Sequence, residues 1–202
     1  MRRHLRWVLP VLAALGTQVA SADVFNITTD NQGGALCSVA HPCGTVTVTG
    51  TTTLHVAISL NSTDVIFGHG NGNGAFGFNA NTTGVSYSNF SSSLYSADSG
   101  GQFDGWGNFP FSIKGPDAAS GLSSVSFDVT STGTAFTGPG SIELGETGGN
   151  GFTVFALHIG NTAGLTGFAG VSPAPAVPEP TSIILFGSIL GLVCRTYRRR
   201  TR

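Results

Sequence analysis

The sequence predicts an all-β fold, a single domain built as a sandwich or a jelly roll. Residues 44–60, G-T-V-T-V-T-G-T-T-T-L-H-V-A-I-S-L, alternate apolar and polar positions, which is the period of a half-buried strand. Thirty glycines, with many Ser, Thr and Asn, separate short apolar segments along the chain. The central region contains no helical pattern of useful length. Frequent turns between short strands favour a sandwich or jelly roll over an α/β fold.

The strands are predicted in chain order from this alternation and from the turn residues between them. Gly50 interrupts the first pattern, so we expect a hairpin there. The other predicted strands occupy residues 64–67, 84–90, 109–114, 123–130, 141–144 and 152–159. The glycine content would also suit a solenoid, but no repeat of fixed period is present.

The charges divide the chain into two ends and a body. Eight of the nine Lys and Arg residues lie near the termini, and Lys114 is the only one between residues 23 and 180. All ten Asp and Glu residues lie in that same interval. Because nucleic-acid binding depends on Lys and Arg neutralising phosphates, so acidic a body excludes a nucleic-acid partner. A length of 202 residues fits one domain with accessory segments.

The first 22 residues have the organisation of a signal peptide. Three arginines precede an apolar stretch at residues 7–15, and Ala20-Ser21-Ala22 gives the small-x-small triplet that signal peptidase accepts. We therefore expect residues 1–22 to be removed and Asp23 to become the new N-terminus. The paired arginines at residues 2 and 3 leave both the general secretory and the twin-arginine route open.

The C-terminal end has the features of a short membrane helix with a basic stop. Residues 181–194 are nearly all apolar and make roughly 21 Å of helix, against a hydrocarbon core of roughly 30 Å. Arginines follow at Arg195, Arg198, Arg199 and Arg200. By the positive-inside rule they hold that end in the cytoplasm and leave the body outside. Before the helix, the proline-rich residues 170–180 predict an extended stalk.

The tetrapeptide Val177-Pro178-Glu179-Pro180 stands directly before this helix. Two prolines keep it extended and exposed. The motif, the apolar helix and the basic cluster together resemble the PEP-CTERM sorting signal of Gram-negative bacteria, over residues 177–202. The resemblance implies processing by exosortase, a membrane transpeptidase, with Pro178, Glu179 and Pro180 as the recognition motif and residues 181–202 as transmembrane helix and cytoplasmic tail. It also implies an association with exopolysaccharide and biofilm.

Cys37 and Cys43 are the only cysteines between residues 23 and 180. In an oxidising compartment such a pair predicts a disulfide that closes a small loop. The alternative, a redox or metal site, would favour closer spacing or more ligands. Cys194 falls in the segment that sorting would remove.

The sequence contains no catalytic motif in the structural context that such a motif requires. Residues 72–77 formally match G-x-G-x-x-G, but they open no helix. Asp98 and Asp104 could form a carboxylate pair for glycoside hydrolysis, although loop aspartates more often stabilise turns. His55 and His158 fall in predicted strands without metal-ligand spacing. We therefore expect a non-enzymatic protein without a cofactor, and leave loop-bound calcium open with no ligands assigned.

Trp106 lies in the glycine-rich segment F-D-G-W-G-N-F-P-F, residues 103–111. An exposed aromatic there could stack on sugar rings, or the aromatics could form the edge of the core. The sequence thus favours a structural or adhesive surface protein of the extracellular matrix. The alternatives are a carbohydrate-binding module using Trp106, with extracellular polysaccharide as partner, and, less favoured, a secreted hydrolase.

Overall fold

The computed structural model describes residues 22–68, 74–145 and 153–171, and these residues form an all-β, sandwich-like fold. Their only helical segments are two single-turn 3-10 helices, Ala118–Ser120 and Pro139–Ser141. The strands are β1 (Ala22–Ile27), β2 (Thr29–Asp30), β3 (Gly44–Gly50), β4 (Thr53–Leu60), β5 (Asp64–Ile66), β6 (Phe76–Phe78), β7 (Val85–Ser88), β8 (Ser96–Asp98), β9 (Gly101–Phe103), β10 (Gly107–Phe109), β11 (Phe111–Lys114), β12 (Ser124–Ser131), β13 (Phe155–Asn161) and β14 (Thr166–Val171).

The strands form two large sheets and one small hairpin. Sheet I has the order β1-β3-β4-β12-β7. Sheet II has the order β2-β14-β13-β6-β11-β8, and β5 also pairs with β13. The β9–β10 hairpin is a separate two-stranded sheet. All pairings between these strands are antiparallel, so the fold contains none of the parallel crossovers of an α/β protein.

The main core lies between the two sheets, where alternate side chains of each strand point inward. In β13, Phe155, Leu157 and Ile159 are fully buried in this core, as the period of two requires. Aromatic side chains fill its centre. The large, fully buried side chains of the two sheets include Leu54, Ile58 and Phe127 from sheet I and Phe76, Phe78, Ile113 and Phe155 from sheet II.

A second, smaller core lies on the opposite face of sheet II. The β9–β10 hairpin covers this face with Phe103 and Phe109, which pack with Ala156 and Phe168. The ring of Phe103 meets Phe109 and Phe168 edge-on, with centroids 5.4 and 5.7 Å apart. Sheet II is therefore apolar on both faces, whereas the outward face of sheet I carries hydroxyl side chains.

The structure confirms the predicted hairpin and corrects several other elements. β3 and β4 pair across Gly50, whose φ of +107° suits glycine. The strand predicted at 109–114 is instead two strands, because Pro110 stands between β10 and β11 and lacks a backbone N–H. The strand predicted at 141–144 is wrong: a 3-10 turn ends at Ser141, and only an isolated bridge from Glu143 to Asn79 follows.

The ends of the described structure lie close to the predicted domain limits of 23 and 169. β1 begins at Ala22, and β14 continues to Val171, two residues into the predicted stalk. The described ranges hold no helix with the length and apolar character needed to cross a membrane. The signal segment through residue 21, the remainder of the stalk and the sorting helix lie outside those ranges.

Cys37 and Cys43 are joined by a disulfide in the loop between β2 and β3. Both sulfurs are buried, with each cysteine 1% exposed. The same loop is organised by Asp30, whose carboxylate accepts backbone N–H groups of Gln32, Gly34, Leu36 and Cys37 at 2.6–2.9 Å. Burial, the largest single influence, would raise the pKa of Asp30. The four hydrogen bonds together outweigh it, so the pKa is lowered.

Replacing Cys37 and Cys43 together by serine is expected to lower the free energy of unfolding by about 2 kcal/mol, because the bond closes a loop of only a few residues in the unfolded chain. Urea denaturation of the oxidised wild type and the double variant measures this. Wild type treated with reductant is the control and should lose the same amount. Equal stability of the oxidised wild type and the variant would contradict the expectation.

Candidate functional site

Trp106 lies at the turn of the β9–β10 hairpin and is partly buried. Its backbone N–H donates to the Phe103 carbonyl at 2.8 Å. Its indole ring lies against Gly170 of β14, where an added Cβ would stand 3.0 Å from the ring. The indole Nε1 is buried and has no hydrogen-bond partner in the described residues. One face of the ring is thus occupied by β14, and the ring extends the second core.

A groove lies at the opposite, open end of the same hairpin. It has a volume of about 400 Å³. Its lining residues come from the β8–β9 and β10–β11 connections, from the hairpin strands and from the residue after β6; they are Asn79, Ser99, Gly100, Gly101, Gln102, Asn108, Phe109 and Pro110. No Asp, Glu, Lys or Arg is among them. The groove therefore offers amides, a hydroxyl and backbone groups.

The two outward carboxamides of the groove are placed by strand register. Gln102 and Asn108 are direct cross-strand partners, and both are exposed. Their strand neighbours Phe103 and Phe109 point the other way and are buried. The hairpin is therefore amphipathic, with an apolar face on sheet II and an amide-bearing face in solvent. Sequence reasoning missed this pair, although the alternation in G-Q-F and G-N-F was a usable signal.

Asp98 and Asp104, the predicted carboxylate pair, have separate partners. Asp104 is exposed and accepts a hydrogen bond from the Asn31 amide at 3.2 Å, while the oxygen of that amide accepts the Phe168 N–H at 2.9 Å. Asp98 is in β8, and one of its oxygens accepts the Ser99 N–H at 2.9 Å. Its second oxygen is buried without a partner in the described structure. Asp104 thus links the hairpin tip to the loop that follows β2.

His158 is held in an aromatic stack on the outer face of sheet II. Its ring centroid lies 4.0 Å from that of Phe67 and 4.3 Å from that of Phe168. Nδ1 is buried and has no partner among the described residues. Burial lowers the pKa of His158 to about 4, so the ring is neutral at pH 7. His158 therefore packs as an aromatic ring between Phe67 and Phe168.

His55 belongs to a different, exposed group on the outward face of sheet I. Its Nδ1 lies 2.7 Å from Asp128, the residue opposite it in the β4–β12 register. Asn89 donates to the other oxygen of that carboxylate at 2.7 Å. The hydrogen bonds from Asn89 and His55 lower the pKa of Asp128. The histidine side chain is 50% exposed, so this group lies at the surface, where it links β4, β12 and the residue that follows β7.

Asp23, the predicted first residue of the mature chain, is in β1 and contacts Glu143. Burial raises the pKa of Glu143, and the neighbouring Asp23 carboxylate raises it further. One Glu143 oxygen is buried and unpaired within the described residues. No group of three or more His, Cys, Asp and Glu side chains suited to a metal ion occurs in the described ranges.

The predicted sorting residues Pro178, Glu179 and Pro180, the arginine cluster and Ala20 lie outside the described residues. Among the described residues, the groove is a concave site that was not predicted from sequence. Searched against known proteins, the chain matches no protein-family model, no curated protein and no solved structure.

Proposed function

We propose that the protein is an exported cell-surface or extracellular-matrix protein with a structural or adhesive, non-catalytic role in an exopolysaccharide matrix. The observation that carries the proposal is the order of sequence features in residues 177–202: the tetrapeptide V-P-E-P, the apolar run 181–194 and the arginine cluster after it. In the proposed route, signal peptidase removes residues 1–22, and the C-terminal helix holds the body in the periplasm. An exosortase-type transpeptidase then recognises Pro178, Glu179 and Pro180 and processes the chain, and the body reaches the cell surface or the extracellular matrix.

Two features of the described domain support this proposal, one for export and one for a role in the matrix. Its disulfide between Cys37 and Cys43 belongs to an oxidising compartment. The outward face of sheet I is an uncharged, hydroxyl-rich surface apart from the paired His55 and Asp128, and its exposed members include Thr53, Ser59, Ser86, Ser88 and Ser124. A face that exposes hydroxyl groups suits contact with hydrated polymers, because each hydroxyl both donates and accepts.

Replacing Pro178, Glu179 and Pro180 by alanine in the native host is expected to leave an uncleaved protein in the inner membrane. The reason is that the transpeptidase would lose its extended recognition strip while the helix and basic stop remain. Immunoblots of fractionated cells measure the size and location of the product. The matched control replaces Pro173 and Pro175, in the same stalk, and should be processed normally. Wild-type processing of the triple variant would refute the sorting assignment.

Polysaccharide binding by the same domain is the second candidate function. The observation that favours it is the uncharged, amide-lined groove beside the hairpin. Trp106, the glycan contact predicted from sequence, is in the same hairpin. One face of its ring lies on Gly170 and is therefore covered. Polysaccharide binding would therefore depend on hydrogen bonds from the groove amides rather than on stacking against an aromatic ring.

A further inference from the structure

We propose that the groove at the open end of the β9–β10 hairpin is a binding site for uncharged sugar units of a polysaccharide, with Gln102 and Asn108 as its principal polar contacts. This inference rests on the second candidate function and gives it a site. The groove volume of about 400 Å³ falls within the range of roughly 300–1,000 Å³ common for small-ligand sites.

The register of the hairpin sets the spacing of the two amides. Directly opposed residues in an antiparallel pair have Cβ atoms about 4.5–5.5 Å apart. Gln102 and Asn108 are such a pair, and both point away from the buried Phe103 and Phe109. Each amide carries donors and an acceptor. Two adjacent amides therefore match neighbouring sugar hydroxyls, each of which also donates and accepts.

The absence of charged residues from the groove lining disfavours ionic ligands. None of its lining residues is charged, and the surrounding body has ten acids against the single Lys114. An anionic polysaccharide would meet a repulsive field and no cationic partner. A cationic ligand would find no carboxylate in the lining. Uncharged ligands that carry both hydrogen-bond donors and acceptors suit this lining, and neutral hexose or pentose units are the ligands of that kind that a polysaccharide supplies.

Gly100 in the β8–β9 connection and Gly101 at the start of β9 give the groove lining two residues without side chains. Gly100 has a φ of +88°, and an added Cβ there would stand 2.5 Å from the Phe109 carbonyl oxygen and 2.6 Å from that of Pro110. Gly100 is therefore required by the backbone, and Gly101 follows it in the lining. Bare backbone lets a ligand approach the chain closely, beside the exposed Ser99. Asn79, whose amide donates to the Gly145 carbonyl at 3.1 Å, forms a fixed wall.

The test uses the full chain in a zwitterionic detergent, since sugar-headed detergents would compete. A glycan array of neutral and acidic bacterial and plant oligosaccharides is screened first, and each hit is measured by titration calorimetry. We expect at least one neutral glycan to bind. The Gln102→Ala/Asn108→Ala variant should bind it roughly tenfold more weakly or worse, because two ligand hydrogen bonds are lost.

The matched control is Gln32→Ala/Asn61→Ala, which removes two exposed carboxamides that do not line the groove. It should bind as wild type does, and circular dichroism should show all variants folded. No neutral glycan bound, acidic glycans bound in preference, or undiminished binding by the Gln102/Asn108 variant would each overturn the site. Loss of binding in Trp106→Ala alone would place the sugar contact at the hairpin tip instead. None of these results bears on sorting, which the Pro178–Glu179–Pro180 variant tests separately.

Discussion

Phe76→Ala is expected to lower the free energy of unfolding by about 3–5 kcal/mol, because it opens a cavity where the two sheets meet. Phe76 is fully buried on β6, the strand that lies between β13 and β11. Its ring lies 5.3 Å from that of Phe155 and 6.0 Å from those of Phe78 and Phe127. The truncation therefore removes ring contacts within sheet II and across to sheet I. Urea denaturation followed by fluorescence measures the loss.

Phe111→Ala is the matched control for this substitution. Phe111 is on β11, pairs directly with Phe78 and is only partly buried against the main core. Solvent can fill much of the space that it leaves, so we expect less than half the loss seen at Phe76. Equal losses at the two positions would show that the inter-sheet packing around Phe76 does not determine stability.

A second large effect is expected from pH, through His158. The pKa of this histidine falls from 6.5 to about 4 on folding because of its burial. Above pH 6.5 the side chain is neutral in both states and adds no pH dependence. Between pH 6.5 and 4 the unfolded chain takes up a proton that the folded chain does not, so stability falls as the pH falls. Allowing for partial solvent access, the loss amounts to roughly 2 kcal/mol.

His158→Phe should flatten this part of the stability curve, since a phenylalanine keeps the stack between Phe67 and Phe168 but cannot titrate. Unfolding by urea at pH 7, 6, 5 and 4 measures both curves. The raised pKa of Glu143 has the opposite effect, because it makes the stability fall as the pH rises. Both proteins contain Glu143, so this effect cancels in the difference between their stability curves. Parallel curves for wild type and variant would contradict the assignment.

The sequence predicts best those strands that have one buried and one solvated face. β3, β4 and β12 alternate cleanly because only the inner face of sheet I is buried. β6 and β14 were not predicted: their sequences F-G-F and T-G-F-A-G-V lie in sheet II, which is buried on both faces, and glycine occupies positions where an alternating pattern would show a side chain. The alternation of Ile142 and Leu144 predicts a strand at residues 141–144, but the structure has only the end of a 3-10 turn at Ser141 and an isolated bridge at Glu143.

The candidate site was predictable only in part. The sequence singled out Trp106 in its glycine-rich segment and the nearby Asp98 and Asp104, but it did not predict the β9–β10 hairpin. It could not show that Gln102 and Asn108 oppose each other, because that depends on the turn at residues 104–106 and on the register it sets. Nor could it show that Gly170 would meet the indole ring of Trp106, from which it is separated by more than sixty residues.

The position of β14 in sheet II has a mechanical consequence. This last described strand lies between β13 and β2, and the Thr29 hydroxyl also donates to the Gly170 carbonyl at 3.0 Å. Tension transmitted to Val171 from the residues after it would pull along two hydrogen-bonded ladders at once, in shear, instead of opening them one bond at a time. One ladder joins β14 to β13, near the centre of the sheet, and the other joins it to β2 at the edge. A pull at Val171 is thus shared between β13 and β2 within sheet II.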